Sequence, residues 1–238
     1  MRIEMLVLFD IDGTLLRRVP PKESGRKVSV KEEAFMHTLR RLWSVDEGFY
    51  TSVVGSNLEG MTDLTIMEKL AGGLGVGADQ VRSRTEEVKK VLIEEFEKLV
   101  KKYAPTNEYV ILPGVRELLE ELKARQAKLG LATGNLEHFA MYKMRLMKLD
   151  QYFTLGAFGD HSFERREIVK KALREGAQEK SFLVGDTPAD IEAGHSCNIG
   201  VIAVATGKHS LEELAAYSPE LLVKSLTERD CVLEYLGF

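Results

Sequence analysis

Met5-Leu-Val-Leu-Phe9-Asp10-Ile-Asp12-Gly-Thr14 is the stretch on which the reading of the chain turns. Five apolar residues run without polar alternation and stop abruptly at an acid. Such a run describes a strand covered on both faces, as in a parallel sheet. Runs of the same kind recur at 129–133, 181–184 and 200–204. Helical patterns lie between them. The segment 115–125 follows Pro113, which suits a first helical turn, and 136–147 follows Asn135, a good N-cap. The segment 166–175 stops before Gly176, and 189–195 follows Pro188. The segment 211–217 follows Ser210, with Glu213 three residues on as a capping box. Strand and helix alternate, which predicts an α/β fold with a doubly wound parallel sheet.

The first half breaks this rhythm. From Leu15 to Ala132 is 118 residues, whereas a crossover with one helix needs only about 30. Residues 17–109 therefore read as an inserted, all-helical cap domain, and 1–16 with 110–238 as the α/β core. Val81, Val88, Leu92, Phe96, Leu99 and Tyr103 predict one amphipathic helix of about 24 residues. Shorter helices are expected at 33–43 and 62–70, with the Gly-rich 71–77 as a turn between helices. That turn lacks the Lys-Ser/Thr of a phosphate loop and follows no buried strand.

Composition fits this picture and excludes others. Of 238 residues, 44% are hydrophobic and 29% charged, with a net charge of −4. These values are those of a soluble globular protein and give no basic footprint for nucleic acid or an anionic membrane. No apolar stretch reaches the length of a transmembrane helix, and the N-terminal run is too short for a signal peptide. A cytoplasmic protein is expected, as monomer or homodimer. Cys197 and Cys231 form no CxxC pair and read as two inert buried thiols or a single bridge.

Chemistry gathers at the strand ends. Asp10 and Asp12 follow the first strand, and ligands bind at the carboxyl edge of open α/β sheets. Two carboxylates roughly 6 Å apart repel by about 1 kcal/mol or more, which a cation would relieve. A plain turn at Asp-Gly is the alternative. Val184-Gly185-Asp186-Thr187-Pro188-Ala189-Asp190 repeats the pattern after a second buried strand. Asp190 could simply favour a helix N-terminus. Four acids converging from two parallel strands instead suit Mg²⁺, which takes oxygen ligands. Thr133, Gly134 and Asn135 end a third strand with a hydroxyl, backbone amides and a helix start, an arrangement that binds anions.

In this order these segments resemble the haloacid dehalogenase superfamily, phosphoglycolate-phosphatase-like members with a helical cap inserted after the first motif. The resemblance covers nearly the whole chain and rests on the DxDGT and GDTPxD stretches. It implies an aspartyl-phosphate enzyme. Asp10 is then the nucleophile and Asp12 the general acid and base. Thr133 hydrogen-bonds the transferring phosphoryl group. Asp186 and Asp190 support Mg²⁺ together with Asp10 and the Asp12 carbonyl, Asp186 being the favoured direct ligand. An acid at Asp12 points to phosphoryl transfer, because a leaving halide needs no proton. The family's usual third-motif lysine is missing, and Arg165 or Arg166 stands in its place, Arg165 being preferred. Either arginine supplies a permanently charged fork for phosphate.

The resemblance also implies that the cap selects the substrate. Residues 55–63, with Thr62 and Asp63, resemble its specificity loop, although either residue could be an ordinary N-cap. The five histidines form no ligand spacing. The expected activity is Mg²⁺-dependent hydrolysis of a small phosphorylated metabolite. A sugar-phosphate mutase, a phosphonate hydrolase using a cap lysine such as Lys31, and a non-catalytic phospho-acceptor domain are the alternatives.

Overall fold

The structure, a computed structural model, describes residues 4–19, 28–44, 58–103, 108–176 and 179–238. Of the expected specificity loop, residues 55–57 lie outside this set. The chain divides into two compact units, Met1–Arg18 with Tyr109–Phe238, and Val19–Glu108.

The first unit is built on a six-stranded sheet ordered β5-β4-β1-β6-β7-β8. Its strands are β1 (Met5–Phe9), β4 (Lys128–Ala132), β5 (Leu155–Ala157), β6 (Lys180–Gly185), β7 (Gly200–Val204) and β8 (Leu221–Val223). Every neighbouring pair is parallel. The unbroken apolar run of β1 follows from its central place. Val7 and Phe9 join the cluster built with Leu118, Leu119, Leu122, Ala140 and Met144. Leu6 and Leu8 point the other way, to Ile168, Val169, Ala172 and Ala193. Each such side chain contributes roughly 1.5–3 kcal/mol on full burial, so neither face tolerates a polar residue. Helices α5 (Val115–Ala124), α6 (Glu137–Leu146), α7 (Arg165–Gly176), α8 (Pro188–Ser196), α9 (Leu211–Ala215) and α10 (Arg229–Leu236) complete this unit. Thr187 caps α8 with its side chain, and Pro188 opens it.

Two further short strands form a separate ribbon. β2 (Leu16–Arg18) pairs antiparallel with β3 (Tyr109–Ile111). Arg17, Arg18 and Tyr109, expected in the insertion, thereby belong to the first unit. A ribbon of three residues per strand is too short to show as periodicity.

The second unit is helical: α1 (Val30–Trp43), α2 (Asp63–Gly72), α3 (Ala78–Ser83) and α4 (Thr85–Tyr103). Ser29 and Glu32 form a capping box on α1. α1 packs along α4, burying Ala34, Phe35 and Leu39 on one side and Val88, Leu92, Phe96 and Leu99 on the other. The long helix expected from Val81 to Tyr103 is two helices, because Arg84 leaves helical geometry at φ −111° and ψ 19°. Ser83 and Thr85 hydroxyls donate to the carbonyls of Gln80 and Arg82, competing with the backbone ladder at the break. Both cysteines are free; Cys231 is exposed and Cys197 half-buried, not the buried pair expected. Cys231 sits on the solvent side of α10, whose buried residues are Val232, Leu233 and Leu236. Among the described residues, no helix is long and apolar enough to cross a membrane.

Candidate active site

Parallel strands bring their carboxyl ends to one edge, and three of the four expected acids, Asp10, Asp186 and Asp190, meet there, while the Asp12 side chain is held by Lys143 and Asn135. Asp10 follows β1 and Asp186 follows β6, whose register pairs Phe9 with Val184. The Asp10 amide donates to the Val184 carbonyl at 3.0 Å, locking the two strand ends together. Asp190 arrives from the first turn of α8. Asp10, Asp186 and Asp190 are buried, and each offers a carboxylate oxygen within 4.8 Å of the others. Burial pushes the Asp186 carboxyl well above the usual carboxylate range, and the charges of Asp10 and Asp190 add to this. Asp10 is raised too, by burial and by the charges of Asp190 and Asp12, against the pull of Arg165. A compact set of hard oxygen donors at this electrostatic cost fits a small divalent cation, which would stabilise the ionised forms.

Arg165 opens α7 and reaches into the cluster. Its Nη2 lies 2.6 Å from Asp10 Oδ1 and 2.6 Å from Asp190 Oδ1. Nε also donates to Asp190 Oδ1, at 3.0 Å. Burial works against its charge, but the carboxylates of Asp10 and Asp190 outweigh that and push its pKa up. Asp190 Oδ2 is committed to its helix start, accepting from the Thr187 hydroxyl at 2.7 Å and the Thr187 amide at 3.2 Å. Arg166 points elsewhere, to Glu164 and Glu167 on an exposed surface. The structure thus brings Arg165 to the acids and leaves Arg166 outside.

Asp12 stands apart from these three acids. Lys143 Nζ donates to its Oδ1 at 2.8 Å and to its Oδ2 at 2.6 Å. Asn135 Nδ2 donates to Oδ2 at 2.9 Å. Asn135 was expected to cap α6, but that helix starts at Glu137 with Leu136 at the cap position. The Asn135 amide is spent on Asp12 and on the Thr133 hydroxyl, 2.9 Å away. The Asp160 carboxylate accepts from the Glu137 amide instead. Thr133 is fully buried, with its hydroxyl also accepting weakly from the Asn135 backbone amide at 3.4 Å.

Close packing fixes Asp186 from behind. Thr14 donates its hydroxyl to Asp186 Oδ1 at 2.9 Å. Thr206 donates to the Gly13 carbonyl at 2.5 Å. A Cβ on Gly13, whose φ is +88°, would stand 2.1 Å from Asp186 Oδ2, and one on Gly207 only 1.9 Å from it. A side chain at either position would require Asp186 to move.

Thr62 and Asp63 have other duties. Thr62 caps α2, accepting from the Thr65 amide at 3.1 Å. Asp63 is 1% exposed and forms an ion pair with Lys31 at 2.5 Å. Both are built into the helical unit's own structure, and the same ion pair occupies Lys31.

Lys143 is the residue that sequence reasoning passed over. The buried face of α6 runs Phe139, Ala140, Lys143, Met144. A lysine at a position that periodicity assigns to the interior was the available signal, since a fully buried lysine requires a partner.

The family described as haloacid dehalogenase-like hydrolase matches residues 7–204. A phosphoglycolate phosphatase of Pseudomonas syringae is 24% identical over 243 residues, covering 94% of this chain and 78% of its own. A phosphorylated carbohydrates phosphatase of Thermotoga maritima is 26% identical over 234 residues, covering 93% and 98%. The structure of a hydrolase from Pseudomonas syringae superposes with a TM-score of 0.65 at 19% identity, covering 99% of this chain and 100% of that one.

Proposed function

The chain belongs to the haloacid dehalogenase-like hydrolase family, and from that premise we propose that it is a Mg²⁺-dependent phosphatase of a small phosphomonoester, working through an aspartyl-phosphate on Asp10. The observation that carries this reading is the division of the acids. Asp10, Asp186 and Asp190 cluster with Arg165, while Asp12 is held separately by Lys143 and Asn135. One carboxylate can then attack phosphorus while another handles protons.

Asp10 and Asp186 would hold the cation through their side-chain oxygens, supported by Asp190 and by the Asp12 carbonyl. Bound Mg²⁺ would offset the repulsion between the Asp10 carboxylate and the anionic ester. Arg165, the Thr133 hydroxyl and the backbone amides of Gly134 and Asn135 stabilise the charge on the equatorial oxygens. An Asp10 oxygen bonds to phosphorus as the ester P–O bond breaks, and Asp12 gives the leaving oxygen a proton. Asp12 then takes a proton from water as that water attacks phosphorus, releasing phosphate and restoring Asp10.

The test is phosphate release from a panel of small phosphomonoesters with Mg²⁺ and with chelator. Release that requires the cation and no bisphosphate supports the phosphatase. Transfer within a sugar phosphate, dependent on a bisphosphate, would instead mark a mutase. No turnover of any ester would overturn the reading.

A further inference from the structure

Lys143 is a charged residue, 3% exposed, in the apolar stripe of α6. Burying an ammonium costs several kcal/mol unless it is paired, so its position calls for a reason beyond packing. Its Nζ spans both Asp12 oxygens, at 2.8 and 2.6 Å, and the Asn135 Oδ1, at 3.0 Å. It also lies 5.2 Å from the Tyr109 ring centroid, a cation–π distance. Asn135 closes the triangle by donating to Asp12 Oδ2 and touching Thr133. The Asp12 side chain itself is 45% exposed. An exposed carboxylate ordinarily samples several rotamers, and this one is gripped from its buried side.

We propose that Lys143 is a positioning residue for the hydrolytic half of the reaction. Together with Asn135 it holds the Asp12 carboxylate in the one orientation that aligns the water attacking phosphorus. The inference rests on the aspartyl-phosphate reading above. A base must stand within hydrogen-bond reach of the proton it takes, and its supporting contacts decide whether it does. Formation of the phosphoenzyme from an aryl ester makes no such demand, because the phenolate leaves without a proton. Loss of Lys143 therefore slows breakdown of the intermediate and spares its formation.

The experiment compares wild type, Lys143→Met and Lys143→Arg on p-nitrophenyl phosphate with saturating Mg²⁺. For Lys143→Met, kcat falls about a hundredfold while kcat/KM stays within about threefold, so KM falls with kcat. A burst of p-nitrophenol approaching one equivalent per site precedes the slow phase, and phosphoenzyme accumulates on acid quenching. Lys143→Arg, which restores the cation, recovers part of kcat. Lys143→Gln gives the same split should the Met variant not fold. Equal losses in kcat and kcat/KM without a burst would overturn the positioning role and leave the phosphatase reading standing. A wild-type protein that releases no p-nitrophenol would overturn the phosphatase reading and this inference with it.

Discussion

Arg165 Nη2 lies 2.6 Å from Asp10 Oδ1, and the same nitrogen lies 2.6 Å from Asp190 Oδ1. One buried cation therefore orients the proposed nucleophile and ties α7 to α8. Replacement by Met leaves buried carboxylates without their partner. Arg165→Met is expected to lower kcat/KM by about 10²–10³, the cost of removing one preorganised donor. It also lowers the stability of the metal-free protein by about 3–5 kcal/mol, the range for breaking a buried pair. Arg165→Lys keeps the charge but not the fork, and recovers only part of each loss. Steady-state kinetics and denaturant melts check both.

The raised Asp186 carboxyl predicts a pH dependence of stability. A carboxyl raised in the folded state binds its proton more tightly there than in the unfolded chain. Between the ordinary carboxylate range and the raised value, stability of the metal-free protein falls as pH rises. Above the raised value the loss is complete. Metal-free melts across mildly acid to neutral pH should show this decline. Asp186→Asn should flatten it, and Mg²⁺ should raise Tm more at neutral than at acid pH. A wild-type profile identical to that of Asp186→Asn would remove the effect.

Gly207 and Gly13 back directly onto Asp186. A methyl at Gly207 needs Asp186 to move, since the contact would be 1.9 Å. Gly207→Ala is expected to weaken Mg²⁺ binding about tenfold or more, as loss of a ligand's supporting contact commonly does. Calorimetric titration checks it. Unchanged affinity would show that the loop yields instead of the carboxylate.

Thr62 caps α2, and its hydroxyl accepts from the Thr65 amide. Thr62→Ala should lower stability by about 1 kcal/mol, the usual cost of a lost N-cap. KM for the best ester should not change. A large rise in KM with stability intact would return Thr62 to substrate recognition.

Much of the sheet was legible because its central strands are apolar on both faces. Val7 and Phe9 face one cluster and Leu6 and Leu8 the other, so β1 shows as a continuous run. β2, β3, β5 and β8 have three residues each, too few for any period to emerge. Asp10, Asp186 and Asp190 were legible because parallel strands deliver their ends to one edge. The choice of Arg165 over Arg166 depended on which face of the first turn of α7 meets that edge. Asn135 and Lys143 were harder to place. Asn135 looks like an N-cap from local sequence, and only the tertiary approach of Asp12 draws its amide away. Lys143 reads as one more basic residue near a helix end unless the spacing of Phe139, Ala140 and Met144 is followed, which puts it on the buried face. The helix break at Arg84 hides because the apolar spacing continues across it.

The central claim is that Asp10 carries the phosphoryl group. The protein is mixed with Mg²⁺ and a turned-over phosphomonoester, quenched in acid, reduced with borohydride and mapped by peptide mass spectrometry. Reduction of an aspartyl-phosphate converts that residue to homoserine. The expected result is conversion at Asp10, dependent on Mg²⁺ and absent without substrate, with Asp10→Asn showing neither conversion nor phosphate release. Phosphate release by Asp10→Asn at the wild-type rate, or conversion confined to another residue, would contradict it.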